Sequence, residues 1–226
     1  LFVEQAINKV MDKYKADWIS VMMADADTGA ILASSTYPSF DPNIRDIKNY
    51  MDPNVSVAFE PGSTMKIFSF MAAMENGKYD GNAKFKSGRL KVDDAVIKDW
   101  NGYGWGEITY DQGFHASSNV AASNLALSLG RGPLKDFYTS LGFGEQTGIS
   151  LPNEGKGLVN FRYNTEIVSA SYGQGITVTA VQMLQALSVL SNDGVMIKPY
   201  IVSKIVDNST KEVILENKRE EVAKIA

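Results

Sequence analysis

The chain has no cysteine, a single histidine and no long apolar run, and each absence removes a class of function. Without cysteine, disulfides and thiolate metal sites are excluded, although the compartment stays open. One histidine, His115, excludes His-rich zinc sites and any triad whose base is a histidine elsewhere. No stretch reaches the roughly 18 apolar residues that a membrane helix needs, and none has the layout of a signal peptide. Lysine and arginine never cluster densely and the net charge is −4, so nucleic acid is not an expected partner. No metal site and no cofactor motif stands out.

What is there suits a globular domain. Hydrophobic residues make up 44% of the 226 and charged residues 21%, enough for one large core or two small ones. Phe2, Val3, Ala6, Ile7, Val10, Met11 and Tyr14 recur at helical spacing and predict an amphipathic opening helix. Residues 18–24 and 30–35 flank Asp25-Ala26-Asp27-Thr28-Gly29 and predict a β-hairpin. Residues 37–60, with Pro38, Pro42 and Pro53, read as an irregular segment. Residues 78–106 are polar, broken by five glycines, and carry Trp100 and Trp105. Helices are expected over 109–114, over 120–129 up to Gly130, from Pro133 to Gly142, and over 179–191. Strands are expected over 199–206 and 212–215. No linker or repeat divides the chain, so one mixed α/β (α+β) domain over 1–226, helices dominant, is the expected fold. The chain opens mid-helix without an initiator Met and ends on Ala223-Lys224-Ile225-Ala226, which reads as a piece of a longer protein.

The stretch Phe59-Glu60-Pro61-Gly62-Ser63-Thr64-Met65-Lys66 organises the functional reading. Pro61 and Gly62 end what precedes, and a helix-compatible run follows to about Gly77. Ser63 then falls in the first turn of a helix with Lys66 on the same face. A serine hydroxyl needs a base to take its proton, and a lysine desolvated enough to lose its charge can be one. The helix N-terminus favours negative charge at the serine oxygen. Alone the pattern decides nothing, since Ser-x-x-Lys arises by chance about once in a few hundred residues.

A second cluster, Ser117-Ser118-Asn119, lies 54 residues beyond Ser63 (117 − 63). By itself it reads as a helix cap. With Ser63 and Lys66 it supplies what acyl transfer requires: an attacking hydroxyl, an amine base, a second hydroxyl to relay the proton, and a carboxamide to hold a substrate amide. Ser-x-x-Lys, Ser-x-Asn and Lys-Thr-Gly together mark penicillin-binding proteins and serine β-lactamases. The chain resembles the transpeptidase domain of class B, monofunctional penicillin-binding proteins of the division type found in Gram-positive bacteria. Besides the two motifs, the likeness runs through Tyr37-Pro38-Ser39-Phe40-Asp41-Pro42-Asn43, Phe143-Gly144-Glu145-Gln146-Thr147-Gly148-Ile149, residues 171–179 and Asn192-Asp193-Gly194-Val195-Met196-Ile197-Lys198-Pro199.

That resemblance implies a penicillin-binding/serine β-lactamase-like fold, an antiparallel sheet flanked by helices. It implies Ser63 as nucleophile, Lys66 as general base, Ser117 as proton relay, Asn119 as amide binder and Trp100 as an aromatic beside the groove. The oxyanion would be met by the Ser63 N–H and a strand N–H near the third motif. The implied partners are D-Ala-D-Ala stem peptides, β-lactams and division-complex membrane proteins. The implied place is the outer face of the cell membrane, tethered by a single span. One element departs from the pattern: no Lys-Thr-Gly occurs between Asn119 and Ala226. Lys86-Ser87-Gly88 precedes Ser117 and is out of order, and Gly155-Lys156-Gly157 lacks a hydroxyl. The expectation is a domain incomplete on its C-terminal side, before the later sheet strands, with only the opening hairpin of the central sheet present. Three functions stay open: a peptidoglycan D,D-transpeptidase, a β-lactamase or D,D-carboxypeptidase, and a non-catalytic penicillin-binding sensor. His115 is expected to be a packed or surface residue.

Overall fold

The computed structural model describes residues 2–41, 43, 44, 47 and 50–226. Leu1, Pro42 and residues 45, 46, 48 and 49, which the expectations above include, lie outside them. In chain order the first elements are α1 (Phe2–Tyr14), β1 (Ile19–Ala24), β2 (Ile31–Tyr37), α2 (Pro53–Ser56) and β3 (Ala58–Phe59). A 3₁₀ turn (Gly62–Met65) then leads into α3 (Lys66–Glu75), followed by β4 (Lys84–Lys86), β5 (Arg89–Val92), β6 (Ala95–Lys98) and β7 (Glu107–Thr109). Four helices come next, α4 (Tyr110–His115), α5 (Asn119–Leu129), α6 (Arg131–Ser140) and α7 (Asn164–Ser171). The chain continues with β8 (Val178–Thr179), α8 (Ala180–Leu187), β9 (Val195–Ile197), β10 (Lys204–Val206), β11 (Val213–Glu216) and β12 (Glu221–Lys224). The mixture of helices and small antiparallel sheets is the expected fold class. Two compact units make it up: Leu1–Ala58 with Leu141–Gly157 and Thr179–Ala226, and Phe59–Ser140 with Leu158–Val178.

In the first unit the opening hairpin forms as its alternation predicts, with Ile19 opposite Tyr37 and Met23 opposite Ala33. Its turn is held by Asp25, whose Oδ1 accepts from Thr28 N at 2.8 Å and Thr28 Oγ1 at 2.7 Å. The helical spacing of α1 is correct, but of its apolar residues Ile7 is buried while Phe2, Val10 and Tyr14 are exposed. Helix α2 is one turn, too short for a period to reveal. Asp52 caps it, and its fully buried Asn54 bonds Ser20 and Ser34 of the hairpin. Val55 then packs with Ile149 and Val181, covered by Met22, Ile31 and Leu151. A capping box between Thr179 and Gln182 starts α8, and the Gln182 amide donates to the carbonyls of Gly142, Glu145 and Lys156. β9 pairs with β12, and β10 with β11, each antiparallel.

The second unit is built round α5. Its sequence, NVAASNLALSL, is apolar on nearly every side, and seven of its eleven residues are buried. α3, α4, α6 and α7 all pack against it. The small residues Ala121, Ala122 and Ala126 let those neighbours approach closely. Phe68 and Phe70 from α3, Leu134, Phe137 and Tyr138 from α6, and Val168 from α7 complete the core. Ser69 is a buried polar knot within it, bonded to Tyr138 Oη at 2.8 Å and donating to Ser171 O at 2.6 Å, so α3, α6 and α7 are tied at one point. Residues 78–106, for which the sequence predicts no element, hold short strands. Arg89-Leu90-Lys91-Val92 and Ala95-Val96-Ile97-Lys98 close a hairpin across Asp93-Asp94. Helix α6 begins at Arg131, two residues before Pro133, and α7 was not legible because eight residues are too few to show a period.

Candidate active site

Every residue singled out in the sequence for chemistry lies in the second unit. Pro61 and Gly62 do end the preceding segment, but the next four residues form a 3₁₀ turn, and the α-helix proper starts at Lys66. Ser63 is therefore on the turn, exposed, with its carbonyl accepting from Lys66 N–H. The turn is clamped from both sides. Thr64 Oγ1 donates to Pro61 O at 2.7 Å, and Gly62 N–H donates to Gly173 O at 3.0 Å. Gly175 N–H donates to Glu60 Oε1 at 2.8 Å. Gly62 and Gly173 both hold positive φ, and a Cβ on Gly173 would sit 2.1 Å from Gly62 O. The Gly173-Gln174-Gly175 loop thus fixes the backbone that presents Ser63.

Lys66 shares the inward face of α3 with Ser69, Phe70 and Ala73, and only 3% of it is exposed. Burial drives its ammonium pKa down from 10.5 to about 8, against the opposing pull of the Asp99 carboxylate. Its Nζ donates to Ser117 O at 2.5 Å and to Ser117 Oγ at 3.1 Å. Lys66 and Ser117 are therefore brought together, 51 residues apart in the chain. Ser63 Oγ makes no hydrogen bond among the described residues, so in this state the amine is directed at Ser117.

Ser117 sits in the tight turn between α4 and α5 with φ of 53°, a left-handed conformation that costs a non-glycine residue energy and recurs at functional sites. Three contacts impose it: Ser117 N–H to Phe114 O, Ser118 N–H to Gly113 O, and the Ser118 Oγ cap on Ala121 N–H. Asn119 opens α5, half-buried, and its Nδ2 donates to Lys98 O at 2.9 Å, which leaves its carbonyl oxygen as the group it can offer. Trp100 is 71% exposed, with its indole N–H on Ala116 O at 3.0 Å and its ring edge-to-face with Trp105. Ser87 of the out-of-order Lys86-Ser87-Gly88 donates to Gly106 O and accepts from Trp105 N–H, so it anchors the tryptophan loop. His115 is exposed at the end of α4.

Sequence reasoning missed Asp99. It is 2% exposed at the end of β6, and both its oxygens are occupied. Oδ1 accepts from Ser118 Oγ at 2.7 Å and Val120 N–H at 3.1 Å, while Oδ2 accepts from Gly88 N–H at 2.7 Å. Nothing in the linear pattern announces it, because its partners come from two other segments.

A serine on a clamped turn with a desolvated lysine three residues on, and a Ser-x-Asn cap that receives that lysine, are two of the three sequence elements that mark penicillin-binding proteins and serine β-lactamases. The penicillin binding protein transpeptidase domain model matches residues 19–225, and the chain belongs to that family. Stage V sporulation protein D of Bacillus subtilis is 31% identical over 225 residues, covering 94% of this chain and 34% of that protein. The probable peptidoglycan D,D-transpeptidase PenA of Neisseria meningitidis is 30% identical, covering 96% and 38%. Among solved structures, penicillin binding protein 2X from Streptococcus thermophilus superposes with a TM-score of 0.90 at 31% identity, over 99% of this chain and 34% of that one. Penicillin binding protein 3 from Mycobacterium tuberculosis, complexed with ampicillin, gives 0.87 at 27%, over 99% and 51%. The chain thus spans 34% and 38% of the length of these two curated relatives. No helix among the described residues is long and apolar enough to cross a membrane.

Proposed function

We propose that this chain carries the nucleophile and base of a peptidoglycan D,D-transpeptidase that works through a serine acyl-enzyme. The observation that carries the reading is Lys66, a lysine buried to 3% exposure with its pKa brought to about 8, one helical turn from an exposed serine. Neutral Lys66 accepts the Ser63 proton as Ser63 Oγ attacks the carbonyl carbon between the two D-Ala residues of a stem peptide. The C–N bond then breaks, and the departing D-Ala amine takes a proton from Ser117 Oγ, which Lys66 replaces. An amine of a second stem peptide attacks the ester, forms the cross-link and returns the proton to Ser63. Asn119 offers its carbonyl oxygen to the stem-peptide amide, and Trp100 lines the groove beside Ser117. β-Lactams acylate the same oxygen.

Residues 1–226 are in this reading transpeptidase domain, incomplete at the C-terminal side. The domain works on the outer face of the cell membrane, held by one span elsewhere in the protein and in contact with division-complex membrane proteins. Its test is covalent labelling of the full-length protein by a fluorescent penicillin. Labelling is expected for the unaltered protein and lost in Ser63→Ala, and a labelled Ser63→Ala variant would refute the assignment. Release of the label over minutes instead of hours would favour a hydrolase.

A further inference from the structure

A buried lysine that takes up a proton becomes a buried cation, and buried cations are costly unless an anion lies near. We infer that Asp99 is that anion: a positioning residue, locked under the Ser118 cap, that supports Lys66 in its protonated state during acylation and holds Ser117 where Lys66 meets it. The inference rests on the acyl-transfer reading of Ser63 and Lys66 given above.

The geometry places Asp99 one peptide away from the lysine's own partner. Lys66 Nζ bonds Ser117 O and Oγ, and the next residue, Ser118, bonds Asp99 through its hydroxyl. Val120 N–H on the same carboxylate oxygen and Gly88 N–H on the other leave Asp99 no freedom to turn away. A structural cap would need one neutral acceptor. Here Ser118 Oγ caps α5 by accepting from Ala121 N–H, and Asp99 Oδ1 takes the Val120 N–H of the same turn, a bond that a neutral acceptor would make as well. What a neutral acceptor cannot supply is charge. Among the described residues, the groups that act on Lys66 are the carbonyl and hydroxyl of Ser117, from the α4–α5 turn, and Asp99, from the end of β6. Asp99 is the charged one, and it opposes the burial that lowers the lysine's pKa.

The balance of the step shows where this matters. The proton moves from Ser63 Oγ to Lys66 Nζ, the Oγ–C bond forms, and negative charge gathers on the carbonyl oxygen while positive charge gathers on Nζ. Asp99 stabilises the second of these at the moment it appears, at an ammonium whose residue is only 3% exposed.

The test is the rate of acylation by a labelled penicillin against pH, in the full-length protein and in Asp99→Asn and Ser118→Ala. Asparagine keeps the size and an acceptor for Ser118 and Val120 but removes the charge. Lys66 then loses its proton more readily, so the acid limb of the profile is expected about one pH unit lower. The plateau rate is expected to fall about 10- to 100-fold, because the nascent ammonium has lost its counter-charge. Ser118→Ala removes a hydrogen bond to Asp99 and keeps the charge, so its limb stays with that of the unaltered protein whatever its rate. An unmoved limb in Asp99→Asn, or an equal movement in Ser118→Ala, overturns the inference. If Asp99→Asn does not fold, Asp99→Glu carries the test, since it retains charge while disturbing the three hydrogen bonds. Its limb must stay, and a shift refutes the role. Failure of the unaltered protein to be labelled refutes the transpeptidase reading instead, and the role of Asp99 falls with it.

Discussion

If Lys66 is the base, the pH dependence of acylation reports its burial directly. An ordinary lysine, at pKa 10.5, is neutral in about one molecule in 3,000 at pH 7. With the pKa at about 8, roughly one-tenth of Lys66 is neutral at that pH, so burial raises the supply of competent base about 300-fold. Acylation by a penicillin whose own chemistry is flat over pH 5–10 should therefore climb about tenfold per pH unit and level off near pH 8. A profile that levels off in the carboxylate range, or stays flat through pH 7 to 9, would refute the assignment of Lys66 as base. The same burial has a cost in stability, and its sign is fixed. Lys66 holds its proton less tightly folded than unfolded, so between pH 8 and 10.5 the unfolded chain binds more protons and folding strengthens as pH rises. The penalty is about 3 kcal/mol, fully present below pH 8 and gone above 10.5. Lys66→Met removes it. Urea unfolding should show the variant's stability relative to the parent highest below pH 8 and declining by about that amount toward 10.5. A difference that is constant with pH would mean that the lysine is not desolvated.

Two further expectations probe the supports of the site. Gly173→Ala places a Cβ 2.1 Å from Gly62 O at a left-handed backbone, which must displace the turn carrying Ser63. Penicillin acylation should fall at least about 10-fold, with stability lowered by about 1–3 kcal/mol, and an unchanged acylation rate would show that the 173–175 loop does not position Ser63. Tyr138→Phe takes one partner from the buried Ser69 knot, whose burial also pushes the Tyr138 phenol pKa up. Chemical denaturation should register a loss of about 1–3 kcal/mol with acylation nearly intact, and a large loss of acylation at full stability would show that the knot serves the reaction instead of the core.

Much of the site was legible because it is local. Ser63 and Lys66 lie three residues apart, Pro61-Gly62 marks the break before them, and Ser117-Ser118-Asn119 stands before an apolar run that ends at Gly130. Each is a statement about neighbours in the chain, where spacing and backbone preference act directly. The hairpin at 19–37, the opening helix and the helix at 180–187 were legible for the same reason. The short strands at 84–98 and helices α2 and α7 were not. Elements of three to eight residues are too brief for their period to be distinguished from chance, and they exist because partners elsewhere cover them.

Residue types and their order are written in the chain: a serine, a lysine one turn later, a Ser-x-Asn cluster, and no cysteine to offer another chemistry. The state of those residues depends on what folding packs around them. Packing of α3 against α5 takes water from Lys66, and that desolvation lowers its pKa; no neighbour in the chain could do so. The fold also brings Ser117 to the lysine with a strained backbone and sets Asp99 against Ser118, the next residue. Charge, burial and strain depend on atoms distant in sequence and near in space, which is why Asp99 becomes visible only once the chain has folded.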